Sequence, residues 1–258
     1  MRFAPGMALL LILCEGVALA QTAPEFKPIA PDATVDQILD ALKARGDSLK
    51  DFSADIKLTV VDQTTADSTA DSGKFLFQKL ADGDARFRVT FTERNDGSKA
   101  IGERHEYEMS DGWLKERDYS KRVETDRQVV KPGEKINLLK LGQGPFPLPV
   151  GQDKEDVKRD FDVTLIASSK DDPAGTTHLQ LKPKDGTDMG RRFAMLDVYV
   201  ERKSGMPVRI VTLDNAKERL QTTELTNVKL NGGASDGDFN LEKIDPSTWD
   251  VTSEPYRG

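Results

Sequence analysis

The stretch Phe52-Ser-Ala-Asp-Ile-Lys-Leu-Thr-Val-Val61 decides the fold class of this chain. Its apolar side chains recur at every second position, at Phe52, Ala54, Ile56, Leu58 and Val60. Successive side chains of a β-strand point to opposite faces, so this period of two predicts a strand with one buried and one polar face. A sheet built from such strands must bury its apolar face against another layer.

The same alternation continues along most of the chain. Residues 86–93 place Phe87, Val89 and Phe91 on one face, and Asp111-Gly112 predicts a tight hairpin turn. Residues 62–72 are polar and are predicted to form a long hairpin loop. The pattern predicts ten or eleven strands, the others at 73–80, 103–109, 113–119, 122–130, 161–168, 176–181, 193–201, 208–214 and 219–230. We therefore expect an α+β, mainly β fold built on one large curved antiparallel sheet.

Helices are few. Thr34 and Gln37 form a capping-box pattern at the start of a helix whose apolar stripe is Val35, Ile38, Leu39 and Leu42, and Gly46 is predicted to end it. An apolar helix is predicted at 134–141 and a charged helical turn at 153–159. Between them, residues 145–150 form an apolar loop stiffened by proline, which is predicted to be a rigid connection, a mobile gate or an edge that docks a partner.

The first twenty residues have the pattern of an export signal. Arg2 precedes the apolar run 8–13, and Ala18-Leu19-Ala20 forms a small-x-small cleavage site. We expect cleavage near Ala20, an extended lead-in at 21–33, a single domain at 34–258 and a periplasmic location. Cys14 allows a second interpretation as a lipidated cysteine, although Leu13 before it is larger than that motif prefers.

Composition excludes several classes of partner. The net charge of −7 argues against nucleic acid and gives no polybasic anchor for an anionic membrane surface. Because Cys14 is the only cysteine, the chain after cleavage forms no disulfide within itself. A monomer is expected.

The sequence offers little for catalysis. His105 and His178 are far apart, and no nucleophile elbow or phosphate loop is present. Glu103, His105 and Glu108 come nearest to a metal site, but Glu108 falls on the other face of its predicted strand. We expect no enzyme activity, no cofactor and no metal.

The order of the elements resembles the outer-membrane lipoprotein carrier (LolA-like) family. The resemblance rests on short stretches spread over the chain, at 39–57, 73–91, 110–113, 178–184, 197–213, 225–231 and 238–239. It implies a half-open β-barrel with an apolar concave face lidded by helices, and a carrier that shields lipoprotein or lipid acyl chains between membrane-bound donor and acceptor proteins. The arginine that latches the family's lid is absent from 78–81, which leaves Lys79 as the candidate latch.

The alternation also predicts where acyl chains would bind. One apolar face is expected to hold Phe75, Phe77, Phe87, Val89, Phe91 and Trp113. The lid is expected to contribute Leu39, Leu42, Ile136, Leu138 and Leu139. Two alternatives stay open: these residues can be an ordinary core, and the chain can be a non-catalytic envelope module with a closed core that binds protein partners.

Overall fold

A computed structural model describes residues 26–80, 84–98, 100–134, 138–139 and 149–256. The predicted signal peptide, Cys14 and Ile136 lie outside these residues, as do 140–148. In the described part of the chain, no helix combines the length and the apolar content needed to cross a membrane.

The described chain has one longer helix near its start, two short helices and twelve strands. The helices are α1 (Val35–Ser48), α2 (Lys154–Asp160) and α3 (Asp188–Arg192), and a 3₁₀ turn spans Asp236–Phe239. The strands are β1 (Asp51–Asp62), β2 (Ser68–Lys79), β3 (Ala85–Asn95), β4 (Ala100–Ser110), β5 (Trp113–Asp118), β6 (Val123–Gln128), β7 (Phe161–Ile166), β8 (Thr176–Pro183), β9 (Phe193–Glu201), β10 (Pro207–Asp214), β11 (Arg219–Leu230) and β12 (Asp250–Glu254).

All these strands belong to one curved, unclosed sheet. Its order is β12-β6-β5-β4-β3-β2-β1-β11-β10-β9-β8-β7, so β12 and β7 stand at opposite ends and are not paired with each other. Neighbours are antiparallel except β12, which runs parallel to β6. The predicted fold class, a mainly β half-open barrel with helices over one face, is confirmed.

One face of the sheet, here called the inner face, is apolar over most of its width. Directly paired residues share a face, and the pairs Phe77–Phe87, Phe87–Met109 and Met109–Leu114 carry it from β2 to β5. On the other side of β1, Ile210 pairs with Val198 and Val198 with Leu179. The inner face therefore extends from β5 to β8 as one surface.

Two groups of buried residues share this face. The aromatic cluster contains Phe52, Phe75, Phe77, Phe87, Val89, Phe91, Met109, Leu114, Leu138 and Leu139 among others. The helix cluster joins α1 to β7, β8 and β9 through Ile38, Leu39, Leu42, Val157, Phe161, Leu179, Leu181 and Val198 among others. Helix α1 thus covers the half of the sheet that ends at β7, whereas the predicted acyl site lies in the other half.

Several boundaries differ from the sequence prediction. The predicted loop 62–72 was wrong in its second half: β2 begins at Ser68, because this polar stretch pairs with β1 and Asp71 binds Arg94 of β3 at 2.8 Å. Helix α1 was predicted to end at Gly46 but continues to Ser48. The role of this glycine is different: it allows residues 150–151 to approach the helix backbone closely. The exposed strand β12 was missed, because its sequence has no apolar alternation.

The predicted helix 134–141 is not borne out where it is described. Glu134 lies outside any helix, and Leu138 and Leu139 lie in a turn. Their burial against the aromatic cluster shows that tertiary contact, and not helical periodicity, accounts for their apolar character. Of the predicted proline-stiffened loop, only Pro149 and Val150 are described, and both are buried.

The inner face should dominate stability. Val89 is 0% exposed at its centre, whereas Val251 of β12 is 45% exposed. We expect Val89→Ala to lower the free energy of unfolding by about 1.5–3 kcal/mol, the value of a fully buried valine side chain. The matched change Val251→Ala should stay within ~0.5 kcal/mol. Urea denaturation measures both, and equal effects would contradict the assignment of the inner face as core.

Candidate functional site

Five of the six predicted acyl-site residues lie together on the inner face. Phe75, Phe77, Phe87, Val89 and Phe91 are between 0% and 3% exposed. The Phe75 ring stacks on Phe52 at 5.1 Å and on Phe87 at 6.0 Å between centroids. The three strands β1, β2 and β3 thus present one aromatic layer, suited to packing against hydrocarbon without any particular polar geometry.

The structure places the sixth, Trp113, on the opposite face. Leu114 pairs with Met109 on the inner face, and Trp113 pairs with Ser110 beside it. Neighbouring residues of a strand alternate between faces, so the predicted phase of β5 was wrong by one residue. Leu114, which is 6% exposed, occupies the position expected for Trp113.

The predicted lid residues separate into two groups. Leu138 and Leu139 are 4% and 2% exposed and pack in the aromatic cluster. Leu39 and Leu42 of α1 belong to the helix cluster and face β8 and β9. Among the described residues, the cover over the aromatic residues therefore includes the turn at 138–139, whereas Leu39 and Leu42 of α1 pack in the helix cluster.

Lys79 ties the end of β2 to the end of α1. Its Nζ donates a hydrogen bond to the carbonyl oxygen of Gly46, in the last turn of the helix. Burial lowers the pKa of Lys79 below its ordinary value. The residue that the sequence singled out as a candidate latch thus contacts the helix that covers the sheet.

Sequence reasoning missed a second tie, from Arg45. This residue continues the buried stripe of α1 and is 9% exposed. Its Nε donates to the carbonyl oxygen of Ser204 at 2.5 Å, and its guanidinium lies 4.1 Å from the ring centre of Phe26. The available signal was an arginine three residues after Leu42, on the face that otherwise carries only apolar side chains.

An apolar groove runs beside α1. It has a volume of about 740 Å³ and lies between the helix and the extended residues before it. Phe26, Ile29, Ala30, Ala33, Ala41 and Ala44 line it, and Lys27 and Asp47 add charge. This volume lies in the range of small-molecule sites.

The inner face becomes polar only at one end of the β4–β5 pair, where β4 begins and β5 ends. Oxygen and nitrogen atoms of Glu103, His105 and Asp118 lie within 4.8 Å of one another, so Asp118 takes the place that the sequence gave to Glu108. His105 Nε2 lies 3.0 Å from Glu103, and its Nδ1 lies 4.0 Å from Asp118. Arg94 and Lys121 pair with the same carboxylates. The two acids are thus already balanced by cations of the chain.

His178 lies on the opposite side of the sheet. Its Nε2 is 2.9 Å from Asp197 Oδ1, which also accepts from Gln180 at 3.1 Å. The imidazole stacks on Tyr199 with ring centres 4.2 Å apart. The structure therefore separates His178 from His105, on opposite faces, and gives each its own carboxylate partners.

No protein-family model and no curated protein matches the sequence. Among solved structures, an uncharacterized conserved protein from Thermus thermophilus aligns at 14% identity and a TM-score of 0.47, covering 84% of this chain and 98% of that one. MucB in its complex with MucA from Pseudomonas aeruginosa aligns at 15% identity and a TM-score of 0.44, covering 79% of this chain and 60% of that one.

A third solved structure is a putative outer membrane lipoprotein-sorting protein domain from Vibrio parahaemolyticus. It aligns at 12% identity and a TM-score of 0.38, covering 79% of this chain and 95% of that one. At such identities these likenesses concern the fold alone.

Proposed function

We propose that this chain is an exported carrier that holds the acyl chains of a lipoprotein or lipid against the inner face of its sheet. The supporting observation is the aromatic layer of β1, β2 and β3, whose described cover includes a two-residue turn, Leu138 and Leu139. Each buried methylene contributes about 0.8 kcal/mol, so an acyl chain gains affinity from apolar area alone. Capture, shielding and release then require no catalytic step.

The carrier must open before it binds. Phe75, Phe87 and Val89 are almost fully buried, so an acyl chain reaches them only when Leu138 and Leu139 move aside. The free energy lost by exposing these leucines is recovered when methylenes take their place on the same surface. Because one apolar cover replaces another, the closed state and the acyl-bound state have similar free energies. The acyl chain can then pass from a donor protein to an acceptor protein.

The location belongs to the same proposal. A signal at residues 1–20 would export the chain, and the periplasm is the compartment where acylated molecules must cross water between two membranes. The apolar groove beside α1 would be a first contact for a chain on its way to the inner face.

A second candidate function is a non-catalytic envelope module with a permanently closed core. Exposures of 0% to 6% across the aromatic cluster favour it, because they describe a core that is already covered. Such a module would bind protein partners through its outer surface and would take up no lipid.

Lipid content separates the two functions. We expect the exported protein, extracted with organic solvent, to release a near-stoichiometric lipid detected by mass spectrometry. A fatty acid carrying a photoreactive diazirine should label peptides that contain Leu138, Leu139 or strand β3. A lipid-free protein that also fails to bind a fluorescent fatty acid would establish the closed module instead, and labelling confined to Ala30 and Ala41 would place the acyl chain in the groove.

The tie at Lys79 should control local opening of α1. Lys79→Met removes the hydrogen bond to Gly46, a contribution of about 1 kcal/mol, and should raise the opening equilibrium about fivefold. Hydrogen exchange of the α1 amides should increase, because the last turn of the helix loses its bond to β2.

Lys74→Met is the matched control, because Lys74 lies on the same strand with 77% of its side chain exposed and pairs with Asp55 on the outer face. Equal behaviour of the two variants would show that Lys79 does not hold the helix.

A further inference from the structure

We propose that the outer face of β3, β4 and β5 is a binding surface for an acidic peptide of a partner protein. The chain's own residues 236–249, here called the C-terminal strap, occupy this surface and compete with the partner. The proposal is independent of the carrier function, because every residue involved lies on the face opposite the aromatic cluster.

The surface recognises peptide backbone through arginines. Arg88 Nη1 donates to the carbonyl oxygens of Asp238 at 3.2 Å and Asn240 at 2.9 Å. Arg117 Nη1 donates to the carbonyl oxygen of Glu242 at 2.6 Å. Every peptide has these acceptors, so this part of the contact depends on the backbone path, a 3₁₀ turn followed by residues 240–242, and not on the sequence of the strap.

Charge and one aromatic side chain supply the selectivity. Arg86 pairs with Asp236, and Arg104 Nη1 lies 3.1 Å from Glu242 Oε2. Between these acids, Phe239 is 3% exposed, with the Arg86 guanidinium 4.2 Å from its ring centre. The spacing of Asp236, Phe239 and Glu242 gives the pattern acid-x-x-aromatic-x-x-acid as the chemistry of the partner.

The arginines are held in place from within the sheet. Glu106, which is 0% exposed, accepts from Arg88 at 2.7 Å and from Arg104 at 3.1 Å. Glu124 likewise binds Arg117. Because these carboxylates belong to β4 and β6, the arginines keep their alignment when the strap leaves, and a partner finds a preorganised surface.

The strap buries few of its own side chains and leaves the surface incompletely satisfied. Within 235–256, all of which is described, Phe239 is the one buried residue. A Gly232-Gly233 pair precedes it, and the Gly233 N–H donates to the Asp51 carboxylate at 3.2 Å. Arg88 Nε is buried and has no hydrogen-bond acceptor among the described residues, so a carboxylate from a partner could supply one.

The charge of the strap supports an acidic partner over other occupants. The strap contains one lysine, Lys243, against four carboxylates, at Asp236, Asp238, Glu242 and Asp245. Opposite charges steer association and disfavour basic or neutral segments. A partner peptide of similar charge replaces these contacts without leaving a buried charge unpaired.

The test uses the full chain and a fluorescein-labelled peptide of residues 235–249. Wild-type protein should bind it weakly, because the tethered strap has a high effective concentration. Phe239→Ala in the chain weakens the strap and should tighten peptide binding at least about tenfold by fluorescence anisotropy. A peptide carrying Asp236→Lys and Glu242→Lys should fail to bind, and Arg86→Gln added to the Phe239→Ala chain should weaken binding.

Three results would overturn the proposal. The first is a folded Phe239→Ala chain that binds neither the 235–249 peptide nor its variant with two lysines. The second is a folded Phe239→Ala chain that binds these two peptides equally. The third is a Phe239→Ala dimer with exchanged straps, detected by light scattering, which makes a second copy the occupant.

If Phe239→Ala does not fold, hydrogen exchange of the wild-type protein decides. Strap amides at 236–249 should exchange at least about a hundredfold faster than those of β1, because they open without global unfolding. Exchange of both segments at the global rate would refute a displaceable strap.

Discussion

The structure depends on covering one apolar face that the sheet cannot cover by itself. Twelve strands curve without closing, and the inner face stays apolar from β5 to β8. At about 25 cal/mol per Å² of apolar surface, leaving such a face in water costs more than a domain's net stability. Helix α1, residues 149–150 and the turn at 138–139 are therefore required by the sheet and are not additions to it.

The two faces of the sheet are covered by segments that are held through different kinds of contact. The inner face is covered by leucines and a helix, whereas the outer face of β3 to β6 is crossed by a segment held mainly by arginines. Burial alone would raise the pKa of Glu106, but hydrogen bonds from Tyr119, Arg88 and Arg104 outweigh it and hold the pKa below its ordinary range. Glu106 stays ionised at neutral pH and keeps both arginines in position.

Periodicity predicted the strands well, because a period of two is local and each strand buries one face. The family resemblance, and not periodicity, singled out Lys79, whereas periodicity placed Phe75, Phe77, Phe87, Val89 and Phe91 together. It failed where tertiary contacts decide. Trp113 and Leu114 are both apolar, so only pairing with β4 sets their phase. Leu138 and Leu139 are buried because they pack against the sheet, and β12 forms because it pairs with β6.

The covers of both faces share one kind of contact, a cationic side chain that donates to a backbone carbonyl oxygen. Lys79 and Arg45 hold α1 in this way, and Arg88 and Arg117 hold the strap. Such a bond contributes about 1–3 kcal/mol, comparable with a single buried Val or Leu side chain. The sheet, by contrast, is secured by long antiparallel ladders and a continuous apolar face. Local opening should therefore break ties at α1 and at the strap while the sheet stays folded, so that covers of each face can be exchanged separately.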